Sequence, residues 1–162
     1  MFAGFTSRCT NGVKGESQAQ GMSDNIELDS WSFGASSPAD IGGKGLAAGK
    51  PSLSDFTCSW ALDSASYQVL KNLVQGTHID QVTFTGRKIG GGGTPYNYVQ
   101  VNLSNCLVTG FHTGGGSNGV PSANLSLAYE KIEYQYYTQD SSSGSTSLAG
   151  SATYSIPGVQ AS

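Results

Sequence analysis

Charge is sparse in this chain. Lys, Arg, Asp and Glu make up 12% of its 162 residues, and the formal net charge is -3. That balance excludes a basic nucleic-acid binder and an acidic disordered segment. Long apolar runs are missing as well. No stretch approaches the roughly 20 residues that span a bilayer, so no membrane insertion is expected. Met1-Phe2-Ala3-Gly4-Phe5-Thr6-Ser7-Arg8 has no charged start followed by an apolar core, so no signal peptide is expected. Cys9, Cys58 and Cys106 are odd in number, far apart and without C-x-x-C spacing. They read as buried or idle thiols in a reducing cytosol and not as a disulfide framework, the exception being one exposed cysteine that pairs between chains. His78 and His112 are the 2 histidines. A zinc site needs three or four ligands at workable spacing, and the sequence offers no such set; no metal or cofactor is expected. Glycine is plentiful. The 23 glycines show no G-X-Y period, which excludes collagen, and they cluster as the tight turns of an antiparallel protein require.

The length suits one domain, residues 1–162, with a sizeable core. A single helical pattern stands out. Asp63-Ser64 supplies a cap, Tyr67, Leu70 and Val74 mark one face with Val69 and Leu73 beside it, and Gly76 ends the run. The chain then turns extended from Ile79 to Ile89 and reaches four consecutive glycines, Gly90-Gly91-Gly92-Gly93, read as a hairpin. The rest of the chain reads as about eight or nine strands. Phe56, Cys58, Trp60 and Leu62 alternate, leaving Thr57, Ser59 and Ala61 on the opposite face. Ala152, Tyr154 and Ile156 alternate before Pro157, where the strand ends or lies on an edge.

Three segments change phase midway: Ile26 and Leu28 against Trp31 and Phe33; Val99, Val101 and Leu103 against Cys106 and Val108; Leu125, Leu127 and Tyr129 against Ile132, Tyr134 and Tyr136. Bulges bending long strands around a barrel corner explain this, and so does cover on both faces by core and neighbouring subunit. Residues 34–51 form a long glycine-alanine-serine loop, of a length that is usually functional or disordered.

Catalytic patterns fail on context. Gly115-Gly116-Ser117-Asn118-Gly119 matches G-x-S-x-G, but Val120-Pro121 follows where a nucleophile elbow needs a helix. Gly45-Leu46-Ala47-Ala48-Gly49-Lys50 is one residue short of a phosphate loop, and Pro51 stands in place of the hydroxyl that would hold magnesium. Asp24, Glu27 and Asp29 read as a solvated strand face, and Tyr134, Tyr136 and Tyr137 as a covered aromatic one. No enzyme is expected.

Ordered words then matter. Gly12-Val13-Lys14-Gly15-Glu16-Ser17, Trp31-Ser32-Phe33-Gly34, Ser64-Ala65-Ser66, Gly76-Thr77-His78, Thr85-Gly86-Arg87-Lys88-Ile89-Gly90-Gly91, Thr113-Gly114-Gly115, Asn124-Leu125-Ser126-Leu127 and Ile132-Glu133-Tyr134-Gln135-Tyr136 follow one another at fixed spacing. In this order the chain resembles the Hcp family, the haemolysin-coregulated proteins of the bacterial type VI secretion inner tube. The first strand lacks that family's lysine-bearing alternation, and charge is sparser than in many relatives.

The resemblance implies a mainly β fold, an antiparallel β-barrel of two sheets with one flanking α-helix. It implies homohexameric rings that stack into a tube, capped by a spike protein and enclosed by a contractile sheath. The tube assembles in the bacterial cytoplasm and is then expelled without a signal peptide, with effector cargo in the lumen. By that resemblance Ser32 faces the channel while Trp31 and Phe33 pack inward. Pro38, Gly43, Lys44, Leu46 and Lys50 lie on a loop reaching an adjacent ring or subunit, and Gly91, Gly92, Gly115 and Gly116 on ring-stacking hairpins. A plain tube subunit without a fused toxin is expected. Alternatives are a tail-tube protein of another phage-like contractile particle and a monomeric carbohydrate-binding β-sandwich.

Overall fold

Apolar side chains at every second position commit most of the chain to strands. The computed structural model, which describes residues 2–10, 13–42 and 45–156, joins them into a curled antiparallel sheet. The strands are β1 (Phe2–Cys9), β2 (Ile26–Leu28), β3 (Ser30–Ser32), β4 (Ala35–Ser36), β5 (Ala39–Gly42), β6 (Gly45–Ala48), β7 (Ser52–Leu53), β8 (Phe56–Ala61), β9 (Ile79–Ile89), β10 (Pro95–Gly114), β11 (Ser122–Gln139) and β12 (Thr146–Ser155). The single helix among the described residues is α1 (Ala65–Gln75). Counting eight or nine strands falls short because the expected loop at 34–51 holds β4, β5 and β6.

The main sheet runs β2-β1-β9-β10-β11-β8-β3, with β12 added to β11. Its two long members are β10 and β11, of 20 and 18 residues. One half of β11 pairs with β8 from Ser122 to Leu127, and the other with β12 from Lys131 to Gln139. The two expected sheets are therefore two halves of one, sharing β10 and β11 and curling over a common core. Trp60, Phe56, Leu103 and Leu127 fill that core with no measurable exposure. Each such side chain contributes about 1.5–3 kcal/mol by leaving water.

The phase changes have distinct causes. Ile26 and Leu28 lie on β2, which pairs with β1, whereas Trp31 lies on β3, which pairs with β8 at the other end of the sheet. In β10 and β11 the change falls on one rung. Leu103 pairs with Ile132 and Cys106 with Tyr129, all four buried. Between them Asn105 takes a left-handed φ of 50°. Both strands turn their faces together with no slip in pairing, which keeps the core covered on either side of the bend.

The helix begins and ends where the sequence indicates. Asp63 Oδ1 accepts the Ala65 backbone N–H and the Trp60 indole N–H, both at 3.0 Å. Gly76, at φ 62°, sends its N–H back to Asn72 and Leu73. The buried face, however, is not the expected one. Ala65, Ser66 and Val69 are buried and Leu73 packs on the core, while Tyr67 is 67% and Val74 72% exposed, with Leu70 between them also outward. Leu62 likewise departs from its expected strand. It lies beyond the end of β8, exposed, with its N–H donated to the Pro121 carbonyl.

Candidate assembly surfaces

β3 and β8 alternate hydroxyls with apolar residues, and register lines them up with β11. Ser32, Thr57 and Ser126 form one row, and Ser30, Ser59 and Asn124 the next. Ser32 Oγ lies 2.8 Å from Thr57 Oγ1, and Ser30 Oγ 2.6 Å from Ser59 Oγ. The six side chains border a shallow cavity of about 280 Å³ whose lining carries no charged group. Trp31 points the other way. Its ring stacks 5.7 Å from Phe56, which also meets Phe33 at 5.8 Å, and the Phe5 edge closes the group at 5.4 Å. Aromatic packing beneath thus holds a hydroxyl surface above. Sequence reading picked out Ser32 alone. The alternation of Thr57 and Ser59 was the signal for the rest, but the register joining them was not in it.

An arm rises from the end of β3. β4 pairs with β7 at its base, and β5 pairs with β6 to form its hairpin. Two clamps close the base. Gly34 N–H donates to Ser54 Oγ at 2.8 Å, and Ser54 N–H returns to the Gly34 carbonyl at 2.9 Å. Higher up, Gly49 N–H donates to the Pro38 carbonyl at 2.6 Å and Ser37 Oγ donates to the Gly49 carbonyl at 2.9 Å. Pro38 and Lys50 are exposed at the two ends of the hairpin, and Lys50 borders a groove with Leu53, Tyr154 and Ile156. Leu46 stands opposite Ile41, and they are 76% and 83% exposed. Gly43 and Lys44 lie outside the described residues. The stretch read as resembling a phosphate loop is β6 and its exit. Ile41, isolated in a glycine-rich stretch, gave no sequence signal.

Gly91 and Gly92 occupy the turn between β9 and β10, where Gly93 takes φ 76° and donates to the Gly90 carbonyl at 3.0 Å. Gly115 and Gly116 open the connection between β10 and β11, Gly115 close against Pro121 and Gly116 in open space. The two turns and the arm are separate segments of the chain.

The residues weighed for catalysis and metal binding are exposed. Ser117 sits exposed in a loop that leads into β11 without a helix. His78 Nδ1 lies 2.9 Å from Asn105 Oδ1 at the surface. Asp24 pairs with Lys14 at 3.3 Å, and Glu27 accepts from Ser17 Oγ and Gln18 N–H. Among the described residues no three His, Cys, Asp or Glu side chains gather as a metal site. No described helix is long and apolar enough to cross a membrane.

The geometry is shared with solved structures. One described as a type six secretion system protein superposes with a TM-score of 0.84 at 21% identity, over 94% of this chain and 95% of that one. A type VI secretion system effector from Yersinia pestis gives 0.71 at 24% identity, over 94% and 99%. Hcp1 from Salmonella typhimurium gives 0.76 at 20% identity, over 96% of both chains. No curated protein sequence matches the chain. The family model described as type VI secretion system effector, Hcp, matches residues 8–136, so the chain belongs to the Hcp family of the type VI secretion system.

Proposed function

We propose that this chain is a non-enzymatic, single-domain subunit of a type VI secretion inner tube. Homohexameric rings with an open centre stack into a tube under a spike protein and inside a contractile sheath. They assemble in the bacterial cytoplasm, leave it on contraction, and carry effectors in the lumen. The observation that carries this reading is the arm. Its hairpin exposes Ile41 and Leu46 almost fully and packs on little besides itself, a cost to an isolated subunit that contact with another copy removes. The hydroxyl rows around Ser32 are the face turned to the channel. A neutral polar wall holds cargo by hydrogen bonds without the salt dependence of ion pairing.

Negative-stain electron microscopy of the purified protein under reducing conditions tests the assembly. Six-fold rings with an open centre are expected. Monomers at high concentration would sink this reading and favour the sugar-binding alternative.

A further inference from the structure

The apolar face of β11 does not stop where the core stops. Ile132 is buried opposite Tyr154, and Tyr134, opposite Ala152, still leans on the core. The next rung is Tyr136 opposite Gly150, and there Tyr136 is 43% exposed. Leu148, just beyond, is half exposed. The resulting ledge encloses a cavity of about 350 Å³ lined by Tyr134, Tyr136, Ala149, Gly150, Ser151 and Ala152, with no charged side chain. A Cβ on Gly150 would meet no atom within 4 Å, so the space is open from the strand outward.

From this we infer that the ledge on β11 and β12 receives the β5–β6 hairpin of a second copy, with Ile41 and Leu46 seated against Tyr134 and Tyr136. The inference deepens the proposed function and rests on it. Three observations select this occupant. Ile41 and Leu46 face each other across the hairpin, so two aliphatic side chains arrive together at a surface that is apolar and uncharged. The hairpin's substantial packing is on its own two strands, and a two-stranded hairpin is marginal in water without a covering surface. Its four paired rungs reach about 13 Å beyond the base, far enough to enter a neighbour. Because hairpin and ledge are different patches of one chain, the contact is head-to-tail, and repeating it between rings builds a stack.

Disulfide trapping tests this in the full chain. Leu46→Cys and Ala152→Cys are made singly and together, and oxidised glutathione is the oxidant. Cys58 and Cys106 are buried and half-buried Cys9 packs on the core, so the chain without added cysteines is run alongside as the background. Expected are a ladder of multiples from the double variant and a mixed dimer when the two single variants are combined. Rings by microscopy with neither product would overturn the inference and leave the tube reading standing. A bond formed only within one chain would overturn it as well, because the occupant would then be the copy's own arm. Gly150→Phe is the second variant. It fills the ledge against Tyr136, its neighbour across the strand pair, and it should abolish the ladder in the double-cysteine background while rings still form by microscopy. A ladder of wild-type yield in that variant would refute the ledge. Absence of rings from the unmodified protein would sink the tube reading separately, and the mixed dimer would still decide the contact.

Discussion

Cys9, Cys58 and Cys106 show what burial does to a reactive group. Desolvation is the leading cause for all three, and it pushes each thiol from 9.0 up to about 12. The linkage has a definite sign. The unfolded chain releases these protons first, so stability is full below pH 9.0 and falls as pH rises toward about 12. A melting temperature that declines above pH 9 is expected, together with labelling of Cys58 and Cys106 by a thiol reagent only after denaturation; rapid labelling of those two in the native protein would contradict their burial. Glycines divide just as sharply. A Cβ on Gly15 would strike the Asn25 carbonyl and come within 2.7 Å of Ile26 Cα, both backbone and unable to yield. Gly15→Ala should therefore cost about 1–3 kcal/mol, read as a lower urea midpoint. Gly91→Ala and Gly116→Ala enter open space and should leave that midpoint nearly unchanged. Any effect they have on tube length then reports stacking alone.

Among the elements, α1 separates what patterning can convey from what it cannot. Its ends were legible, because an Asp before the first turn and a Gly after the last act locally. Its buried face was not. Tyr67, Leu70 and Val74 make as good a stripe as Val69 and Leu73, and only packing against β10 selects the second. The arm was half legible. Glycine, alanine and serine marked residues 34–51 as unusual, but such residues have low strand propensity, so β5 and β6 were read as loop. The Asp63 cap yields a prediction at this scale. Its Oδ1 serves the first turn of α1 and also the indole N–H of Trp60, a ring with no exposure. Asp63→Ala would open the cap and leave a buried donor without its acceptor, at a combined cost of about 2–4 kcal/mol. Asp63→Asn keeps the side-chain oxygen and should recover much of that loss. Equal destabilisation in both variants would assign the loss to the charge together with Oδ2, which accepts the Glu16 N–H at 3.3 Å, and not to Oδ1.

At the scale of the whole molecule, the order of weak sequence words reached the fold, while the register of β10 and β11 that fuses its halves lay beyond it. That architecture makes the arm separable. The Gly34–Ser54 clamp and the β4–β7 pairing stand below it, and Pro38 already touches Gly49 through a 2.6 Å hydrogen bond. Removing residues 39–48 therefore joins two residues that already meet. Among the residues of β5 and β6 whose burial is described, the core loses no side chain, since all are exposed. The melting temperature should stay within a degree or two, given that about 1 kcal/mol moves it by roughly 2–8 °C. Rings should form as in the intact chain, with the hydroxyl rows around Ser32 unaltered, and tubes should be absent. Tubes of normal length from that deletion would refute the arm's role between rings. A large fall in melting temperature would instead make the arm part of the subunit's own fold, and its exposed Ile41 and Leu46 would need another explanation.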